Sequence, residues 1–504
     1  MKLLTINYTH DASVCLLEDG EILFYAKEER FSRRKRDPVP YHVLLRLREA
    51  GLLRDLDEIV LCNWQSCSED WGYTAYYERL RDHLAPGSRV SAVWGQHHVF
   101  HAYNAFYGSG FEEALVIVVD TAGAVLRADG TTEKESVYLF QREGLRELYR
   151  HLSTDALSVD GSPRRVKHGI CDRYDGVTRR LGLDILEAGK TMGLASYGRR
   201  GAAVPGDLPV PSRITRESFQ PYADLAFAVQ EATSAEVLAL IRTWVERTGV
   251  HRVCITGGYG MNSVANQRYL RELGGEVELY PDPLADDGGI SLGMARMLGG
   301  GSGAPLASLA FSGFRYDLDG VGEADATAED VVARLLDGQV GALFQGHAEA
   351  GARALGHRSL LFDPRVENGM EIVNRVKRRE WYRPFAATVL QEQAHDWFDL
   401  GPLTESPFMT YVFPVHQERA AAIPAVLHVD GTCRAQTLRR NQDPLFYDLI
   451  AAFYRETGVP MLLNTSFNLS GEPLVETPEQ ALRTLRESAL DFIYFPEAGR
   501  LLSA

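Results

Sequence analysis

The sequence predicts an α/β fold, and two observations support that prediction. The run ALVIVVD, which ends at Asp120, has almost no polar face, as expected of a strand covered on both sides. The run VHRVCITGGYGMN repeats this design with a buried strand, a glycine turn and the start of a helix. The length of 504 residues exceeds one usual hydrophobic core. We therefore expect two domains, with ligand loops at the ends of strands.

The elements before the first long apolar run alternate between apolar and polar residues. LLTINY, ASVCLLED and EILFYAKEERF are predicted as strands, with a tight turn at Glu18-Asp19-Gly20. A helix is predicted over residues 40–55 and a further strand over 57–62.

A change of composition divides the chain. Residues 298–305, LGGGSGAP, predict a flexible segment. After them AEDVVARLLDGQVGALFQG predicts a helix followed by a strand. We place the boundary between residues 300 and 330 and expect domains at 1–325 and 326–504.

Composition limits the function and the compartment. Lys and Arg total 53 against 68 Asp and Glu, a formal charge of −15, which argues against nucleic acid or an anionic membrane as partner. The six cysteines form no CxxC pair, so neither structural zinc nor a disulfide framework is expected. The N-terminal residues do not resemble a signal peptide, and no apolar run reaches about eighteen residues. We expect a cytoplasmic protein.

Three histidines in QHHVFH raise the question of a metal site. His97 and His101 are four residues apart and share one face of a helix, whereas His98 points elsewhere. Asp120 ends a buried strand, and Asp287 opens the turn LADDGG. Two imidazoles with carboxylate oxygens suit Fe²⁺, Mn²⁺ or Zn²⁺ better than Ca²⁺. The alternative is that the histidines cap or pack a helix and Asp120 caps a turn.

Two glycine-rich turns are candidates for nucleotide binding, because backbone N–H groups and a helix N-terminus favour phosphate. The first is ITGGYGMN, the second is EAGKTMG, and glycines also permit close approach in LADDGG. The candidate residues are Lys190, Gly193, Gly257, Gly258, Asn262 and Gly288. The first turn is not a G-x-G-x-x-G and lacks the lysine of a Walker loop, whereas Lys190 in the second could meet phosphate. For each turn the alternative is a plain turn between a strand and a helix.

The C-terminal region concentrates cations beside Gly, Pro and aromatic residues in an acidic chain. Arginine matches phosphate oxygens in bidentate pairs, and Asn and Ser can hold a small amide group. The residues of this group are Arg353, Arg358, Lys377, Arg383, Arg434, Asn464, Thr465, Ser466 and Asn468. The alternative, solvated arginine on a helix face, is expected for Arg375, Arg379, Arg439 and Arg440. It fits Arg383 poorly, because Pro384 and Phe385 follow directly.

Motifs along nearly the whole chain resemble the bacterial O-carbamoyltransferases of nodulation-factor and antibiotic biosynthesis. In order these motifs are HDAS, KEERFSRRKRD, QHHVFHA, KTMGLASYG, EAGARALGHRS, VKRREWYRPFA, HVDGTCRAQT and LLNTSFN-x-x-GEP. The resemblance implies a duplicated actin/sugar-kinase-like N-terminal domain, which performs carbamoyl transfer. It also implies a YrdC-like α/β C-terminal domain, which makes carbamoyl-AMP from ATP and carbamoyl phosphate.

The resemblance also implies roles for individual residues. The metal ligands fall on His97, His101, Asp120 and Asp287, and His98 is not one of them. Carbamoyl phosphate binding falls on Arg353, Lys377, Arg383, Arg434, Asn464 and Ser466. His10 and Asp11 fall where acid–base chemistry on the acceptor hydroxyl occurs, and Lys35 falls on a lysine that contacts the nucleotide or the carbamoyl group.

The cofactors implied are Fe²⁺ or another divalent metal and ATP, with Mg²⁺ as a companion of the nucleotide. The partners expected are carbamoyl phosphate and a hydroxylated small molecule, and a homodimer is left open. The sequence departs from the family pattern at Asp120-Thr121-Ala122-Gly123-Ala124, at Lys35-Arg36-Asp37 and in GGYGMN. The first departure leaves the fine geometry of the metal site open.

Two other functions compete with this one. Carbamoylation of a protein, as in hydrogenase maturation, is performed by proteins that carry zinc-finger CxxC segments and an acylphosphatase module, both missing from this sequence. An ATP-dependent binding protein of the actin/Hsp70 type would account for the first domain but gives the C-terminal cations no purpose.

Overall fold

The computed structural model forms two compact units. The first unit comprises Met1–Arg180, Val229–Met261 and Glu276–Ser312, and the second comprises Leu181–Ala228, Asn262–Gly275 and Gly313–Ala504. The structure describes residues 1–63, 72–126, 130–141, 144–154, 168–300, 306, 309–318, 320–322 and 324–504. Cys67 and most of the predicted flexible segment at 298–305 lie outside these ranges. The domain ranges 1–325 and 326–504 remain a prediction.

Nineteen strands form three sheets in the described residues. The first sheet contains β1 (Lys2–Asn7), β2 (Ser13–Glu18), β3 (Glu21–Lys27), β4 (Glu58–Cys62) and β5 (Arg89–Ala92). The second contains β6 (Ala114–Val119), β7 (Thr131–Gln141), β8 (Gly144–Thr154), β9 (Arg252–Thr256) and β10 (Glu278–Pro281). The third contains β11 (Ala324–Asp325), β12 (Gly341–Phe344), β13 (Arg358–Phe362), β14 (Ala386–Leu390), β15 (Val412–Pro414), β16 (Thr432–Leu438), β17 (Met461–Ser466), β18 (Phe492–Phe495) and β19 (Arg500–Ser503).

The first two sheets have the same topology. Their strand orders are β3-β2-β1-β4-β5 and β8-β7-β6-β9-β10. In each sheet the first three strands form an antiparallel meander, and the fourth and fifth strands run parallel to the first. The first unit is therefore built from two copies of one α/β arrangement, and the predicted α/β fold with a duplicated N-terminal part is confirmed.

The helices of the described residues confirm the predicted positions but not every boundary. They are α1 (Glu29–Ser32), α2 (Tyr41–Glu49), α3 (Tyr73–Leu84), α4 (His97–Ser109), α5 (Ile170–Arg180), α6 (Ala188–Ala195), α7 (Gln220–Thr248), α8 (Ser263–Glu272), α9 (Ile290–Leu298), α10 (Ala328–Leu336), α11 (Gly369–Val376), α12 (Gln417–Ala420), α13 (Pro444–Thr457) and α14 (Pro478–Glu487). The helix predicted over 40–55 ends at Glu49, because Gly51 adopts a left-handed φ of +70° that a helix cannot continue through. None of these helices is long and apolar enough to cross a membrane.

In the first unit, α4 and α9 each pack against the sheet to which the preceding strand does not belong. Helix α4 follows β5 in the chain but packs against β6 and β9, and α9 follows β10 but packs against β1 and β2. The two helices also pack on each other, so closely that a Cβ at Gly293 would lie 2.0 Å from the Phe100 carbonyl oxygen. Only glycine fits this crossing. As a result, the first turn of α4 and the turn before α9 meet beside the residues that follow β6.

The third sheet belongs to the second unit and is mixed. Its order is β11-β19-β18-β12-β13-β17-β14-β16-β15. Strand β14 is parallel to β16, which pairs Ala386 with Arg434, and antiparallel to β17, which pairs Ala386 with Asn464. Because directly paired residues point to the same face of a sheet, Arg434 and Asn464 share one face beside the start of β14.

Candidate functional site

Four predicted metal ligands come together in the first unit. His97 and His101 lie on the first two turns of α4, Asp120 directly follows β6, and Asp287 begins the turn before α9. One ligand atom from each residue lies within 4.8 Å of the other three. Each histidine Nε2 lies 3.4 Å from Asp120 Oδ2, and 3.5 Å (His97) or 3.6 Å (His101) from Asp287 Oδ1. We call these four residues the metal cluster.

The electrostatics of the metal cluster fit a cation. Burial disfavours a charged His97, but Asp287 and Asp120 outweigh it and raise the pKa of His97 to about 10. Burial likewise opposes the charges of both aspartates, yet the facing imidazoles hold the pKa of Asp120 and Asp287 below its usual range. His101 Nε2 is buried without a hydrogen-bond partner among the described residues. The metal cluster offers two imidazole nitrogens and two carboxylate oxygens as ligands. This combination suits a borderline divalent metal ion.

His98 has a different environment from the other two histidines. Its Nδ1 lies 2.7 Å from Ser136 Oγ, and its imidazole contacts the position that a Cβ of Gly123 would fill. Burial, followed by the charge of His97, lowers the pKa of His98 well below its usual value. His98 is therefore a buried neutral histidine, and its exclusion from the ligand set stays a prediction.

His10 lies between two carboxylates at the edge of the metal cluster. Its Nε2 is 3.6 Å from Asp11 Oδ2, and its Nδ1 is 3.6 Å from Asp287 Oδ2. The His10 side chain is 45% exposed, whereas Asp11 is buried. The imidazole can therefore be reached from solvent and has a carboxylate on each side.

Lys27 completes this group and was missed by the sequence analysis. Its Nζ lies 3.0 Å from Asp11 Oδ1 and 3.1 Å from Asp286 Oδ2, next to the ligand Asp287. Lys27 is buried, and Asp11 and Asp286 outweigh that burial and raise its pKa well above the usual value. The motif KEERF contained it, but no spacing rule indicated that a lysine at the end of β3 would meet the residues after β1 and before α9.

The remaining predicted residues of the first unit are less tightly grouped. Gly257 follows β9 with φ +79°, and a Cβ there would lie 2.5 Å from the Val119 carbonyl oxygen. Gly258 faces Asp120 Oδ1, and a Cβ at Gly288 would lie 2.8 Å from Lys27 Cε. These three glycines therefore border the metal cluster. Lys35 is exposed in the turn after α1, where its charge contributes to lowering the pKa of Glu29.

The segment that departs from the family pattern has its own contacts. The Thr121 hydroxyl donates to Asp175 Oδ2 at 2.9 Å, and the Thr121 backbone N–H donates to Asp120 Oδ1. Burial raises the pKa of Asp175 to about 6, and the charges of Asp172 and Asp120 act in the same direction. The Asp175 carboxylate of α5 is thus hydrogen-bonded to Thr121, the residue that follows the ligand Asp120.

Three predicted arginines come together in the second unit. Burial, and then the charges of Arg353 and Arg383, lower the pKa of Arg434. Arg434 Nε is buried without a hydrogen-bond partner in the part of the chain that the structure describes. Like charges held this close favour an anion between them. We call Arg353, Arg383 and Arg434 the basic cluster.

Polar residues of β17 lie on the same face as Arg434. Asn464 Nδ2 donates to Thr388 Oγ1 at 2.9 Å and to the Ala354 carbonyl at 3.3 Å, whereas its Oδ1 is buried and unpartnered among the described residues. Lys377 Nζ donates to the Ser466 carbonyl and, at 2.9 Å, to Asn468 Oδ1. The predicted donor-binding residues thus surround one end of β14 and β17.

One arginine lies in a different environment from the one expected. Arg379 was expected on a solvated helix face, and that expectation is wrong. Its guanidinium donates to Asn374 Oδ1 at 2.5 Å and to the Pro384 carbonyl, and it stacks 4.2 Å over the Phe385 ring. Arg375, Arg439 and Arg440 are exposed as expected.

The candidate nucleotide-binding residues are divided between the two units. Lys190, Gly193 and Asn262 belong to the second unit, whereas the glycines at 257, 258 and 288 belong to the first.

Comparisons with known proteins show which family this chain is similar to. Residues 2–89 match the family described as carbamoyltransferase N-terminus, and residues 332–499 match carbamoyltransferase C-terminus. Nodulation protein NolNO of Sinorhizobium fredii is 30% identical and aligns over 96% of this chain and 78% of its own length. Nodulation protein NolO of Bradyrhizobium diazoefficiens is 31% identical over 78% of this chain and 76% of its own length. A solved structure of full-length HypF, in a phosphate- and nucleotide-bound form, shares 15% identity with a TM-score of 0.41 and covers 59% of this chain and 55% of its own.

Proposed function

The chain belongs to the carbamoyltransferase family, and from that premise we propose a specific reaction. We propose that it is an ATP-dependent O-carbamoyltransferase. It moves the carbamoyl group of carbamoyl phosphate, by way of carbamoyl-AMP, to a hydroxyl group of a small-molecule natural product. The observation that carries this proposal is the basic cluster, three arginines beside Asn464 in a chain of net charge −15. Asn464 Oδ1 has no hydrogen-bond partner among the residues that the structure describes.

Activation of the donor is assigned to the second unit. The basic cluster would bind the phosphate of carbamoyl phosphate, and Asn464 Oδ1 would accept a hydrogen bond from the carbamoyl NH₂ group. Lys377 and Ser466 would shape the same pocket. Carbamoyl phosphate, ATP and water then yield carbamoyl-AMP, pyrophosphate and phosphate. The arginines would neutralise the charge that develops as the phosphate leaves.

Transfer to the acceptor is assigned to the first unit. The four residues of the metal cluster would hold a divalent ion, for which we propose Fe²⁺, and the bound ion would supply Lewis-acid stabilisation next to the AMP phosphate. Gly257, Gly258 and Gly288 border the metal cluster, and their backbone would line the nucleotide site. His10 would take the proton of the acceptor hydroxyl, whose oxygen forms the new bond to the carbamoyl carbon as AMP leaves.

The test is a direct search for the product. Purified protein is incubated with ATP, carbamoyl phosphate and a panel of hydroxylated metabolites, and mass spectrometry detects acceptors that have gained a carbamoyl group. Pyrophosphate release that requires carbamoyl phosphate should accompany the gain. If pyrophosphate is released without carbamoyl phosphate, or not at all, the proposed donor chemistry is wrong.

A further inference from the structure

Helix α6 contacts the loop that carries Arg383, although nearly two hundred residues separate them in the chain. Lys190 Nζ on α6 lies 2.6 Å from Glu380 Oε1 and 2.7 Å from Glu187 Oε1. The other oxygen of the same carboxylate, Glu380 Oε2, lies 3.5 Å from Arg383 Nη1. Glu380 therefore bridges a lysine of α6 and an arginine of the basic cluster.

A second contact places α6 beside the same site. A Cβ added to Gly193 would lie 3.5 Å from Pro384 Cδ, so the helix packs directly on the residues that precede β14. A cavity of about 30 Å³ lies at this contact, and Gly193 and Ser196 line it together with Pro384, Phe385 and Arg434. Helix α6 is thus one wall of the space next to the basic cluster.

Aromatic contacts hold the same two segments together. The Trp381 ring lies 5.2 Å from that of Tyr197 and 5.3 Å from that of Phe219, and the Arg216 guanidinium lies 4.8 Å over it. Contacts of this kind stabilise beyond their buried area. The residues after α6 therefore fix the position of the loop from Glu380 to Phe385.

The two distances at Glu380 are unequal. Lys190 makes a short charge-assisted hydrogen bond, whereas Arg383 is at the length of a weak contact rather than a bidentate pair. Burial opposes the charge of Lys190, but Glu187 and Glu380 raise its pKa above the usual value, so the lysine stays charged. The carboxylate that could neutralise Arg383 is thus held mainly by Lys190.

We propose that Lys190 is a positioning residue of the donor site. By holding Glu380, it keeps the Arg383 guanidinium available for the phosphate of carbamoyl phosphate. Without Lys190, Glu380 is free to form a bidentate pair with Arg383, and the carboxylate then competes with the phosphate. This inference rests on the proposed binding of carbamoyl phosphate by Arg383. It assigns α6, from the N-terminal half of the sequence, to the donor-activating site.

The test compares carbamoyl phosphate affinity of full-length variants by isothermal titration calorimetry. Lys190→Met should weaken carbamoyl phosphate binding about tenfold while leaving the melting temperature unchanged. Lys190→Arg, which keeps the charge, should restore most of the affinity. Glu380→Gln should bind at least as tightly as the wild type, and adding Lys190→Met to it should have little further effect. Arg199→Met is the matched control, because Arg199 is an exposed cation after α6 whose ion-pair partner is Asp224 rather than Glu380.

The outcomes separate this inference from the proposed function. If the wild-type chain binds no carbamoyl phosphate, the donor-site proposal fails and this inference fails with it. If Arg383→Ala loses binding while Lys190→Met binds like the wild type, the donor site survives and only the role of Lys190 is wrong. Equal losses from Lys190→Met in both backgrounds would also overturn it. If Lys190→Met does not fold, weaker binding by Glu380→Gln alone than by the wild type overturns it.

Discussion

The metal cluster and the basic cluster handle charge in opposite ways. In the metal cluster each histidine nitrogen lies 3.4 to 3.6 Å from a carboxylate oxygen, and each carboxylate meets two imidazoles. In the basic cluster burial, and then the charges of Arg353 and Arg383, lower the pKa of Arg434, and the nearby carboxylate of Glu380 is engaged by Lys190. The first arrangement offers ligands to a cation, and the second leaves positive charge for an anion. The proposed two-step transfer would use one site of each kind.

The largest expected effect comes from removing a metal ligand. His101→Ala should lose bound metal and lower carbamoyl transfer by more than about 100-fold, since even losing an outer partner of a metal ligand costs up to that much in affinity. Pyrophosphate release dependent on carbamoyl phosphate should continue, because the basic cluster is unchanged. Metal content by atomic emission and both activities are measured side by side.

His98→Asn is the matched control for that variant. It alters a neighbouring buried histidine whose contact is Ser136 Oγ rather than the metal cluster. It should retain wild-type metal content. If His101→Ala also keeps its metal, the ligand assignment is wrong; if it stops pyrophosphate release, the two clusters do not act separately.

Replacing the proposed base should separate chemistry from metal binding. His10→Asn should retain metal and carbamoyl-AMP synthesis, yet lower transfer by about 100-fold or more, the usual range for losing a positioned base. Single-turnover transfer from supplied carbamoyl-AMP measures the effect. Wild-type transfer would exclude the base assignment, and simultaneous loss of metal and fold would mean that His10 is structural.

Removing one arginine of the basic cluster should impair pyrophosphate release but not metal binding. Arg383→Ala should lower carbamoyl-phosphate-dependent pyrophosphate release by about 30-fold, the equivalent of about 2 kcal/mol for truncating a charged partner. Metal content should be unaffected. Arg440→Ala is the control, because Arg440 is 68% exposed and pairs with Asp448. Unchanged pyrophosphate release by Arg383→Ala would place the donor pocket elsewhere.

The two clusters differ in how far the sequence could predict them. The ligands of the metal cluster follow local rules: His97 and His101 are one helical turn apart, and Asp120 ends a strand that is visibly buried in the sequence. The motif order also identified the carbamoyltransferase family, which the similarity to NolNO confirms. Local rules say less about contacts between distant segments.

Three residues illustrate that limit. Lys27 and Lys190 are lysines in polar stretches, which sequence patterns associate with solvent or with phosphate. Their actual environments are set by carboxylates far along the chain, Asp286 for Lys27 and Glu380 for Lys190. Arg379 has the spacing of an exposed helix residue, but the helix ends at Val376, and the following turn directs the guanidinium onto Phe385. For each of these residues, tertiary contacts rather than the local sequence determine the environment of the side chain.

The smallest expected effect concerns a carboxylate at the margin of the metal cluster. Asp175 is partly buried, and the negative charges of Asp120 and Asp172 lie nearby. Its pKa of about 6 exceeds the ordinary aspartate value, so ionised Asp175 is less favourable in the folded protein than in the unfolded chain. Asp175→Asn keeps an oxygen that can accept from the Thr121 hydroxyl while removing the charge.

This substitution should stabilise the metal-free protein at pH 7 by about 1 kcal/mol, a discounted fraction of the cost that the raised pKa represents. The sign follows from protonation. Above pH 6 folded Asp175 is ionised and the penalty is present in full. As the pH falls toward 4, the folded carboxyl takes up its proton first, so the advantage of the amide should shrink and disappear. Denaturant unfolding between pH 4 and pH 8 measures it. A bound divalent ion should reduce the gain, because its positive charge offsets the repulsion from Asp120. A gain that is the same at pH 4 and pH 7 would show that relief of charge repulsion is not its cause.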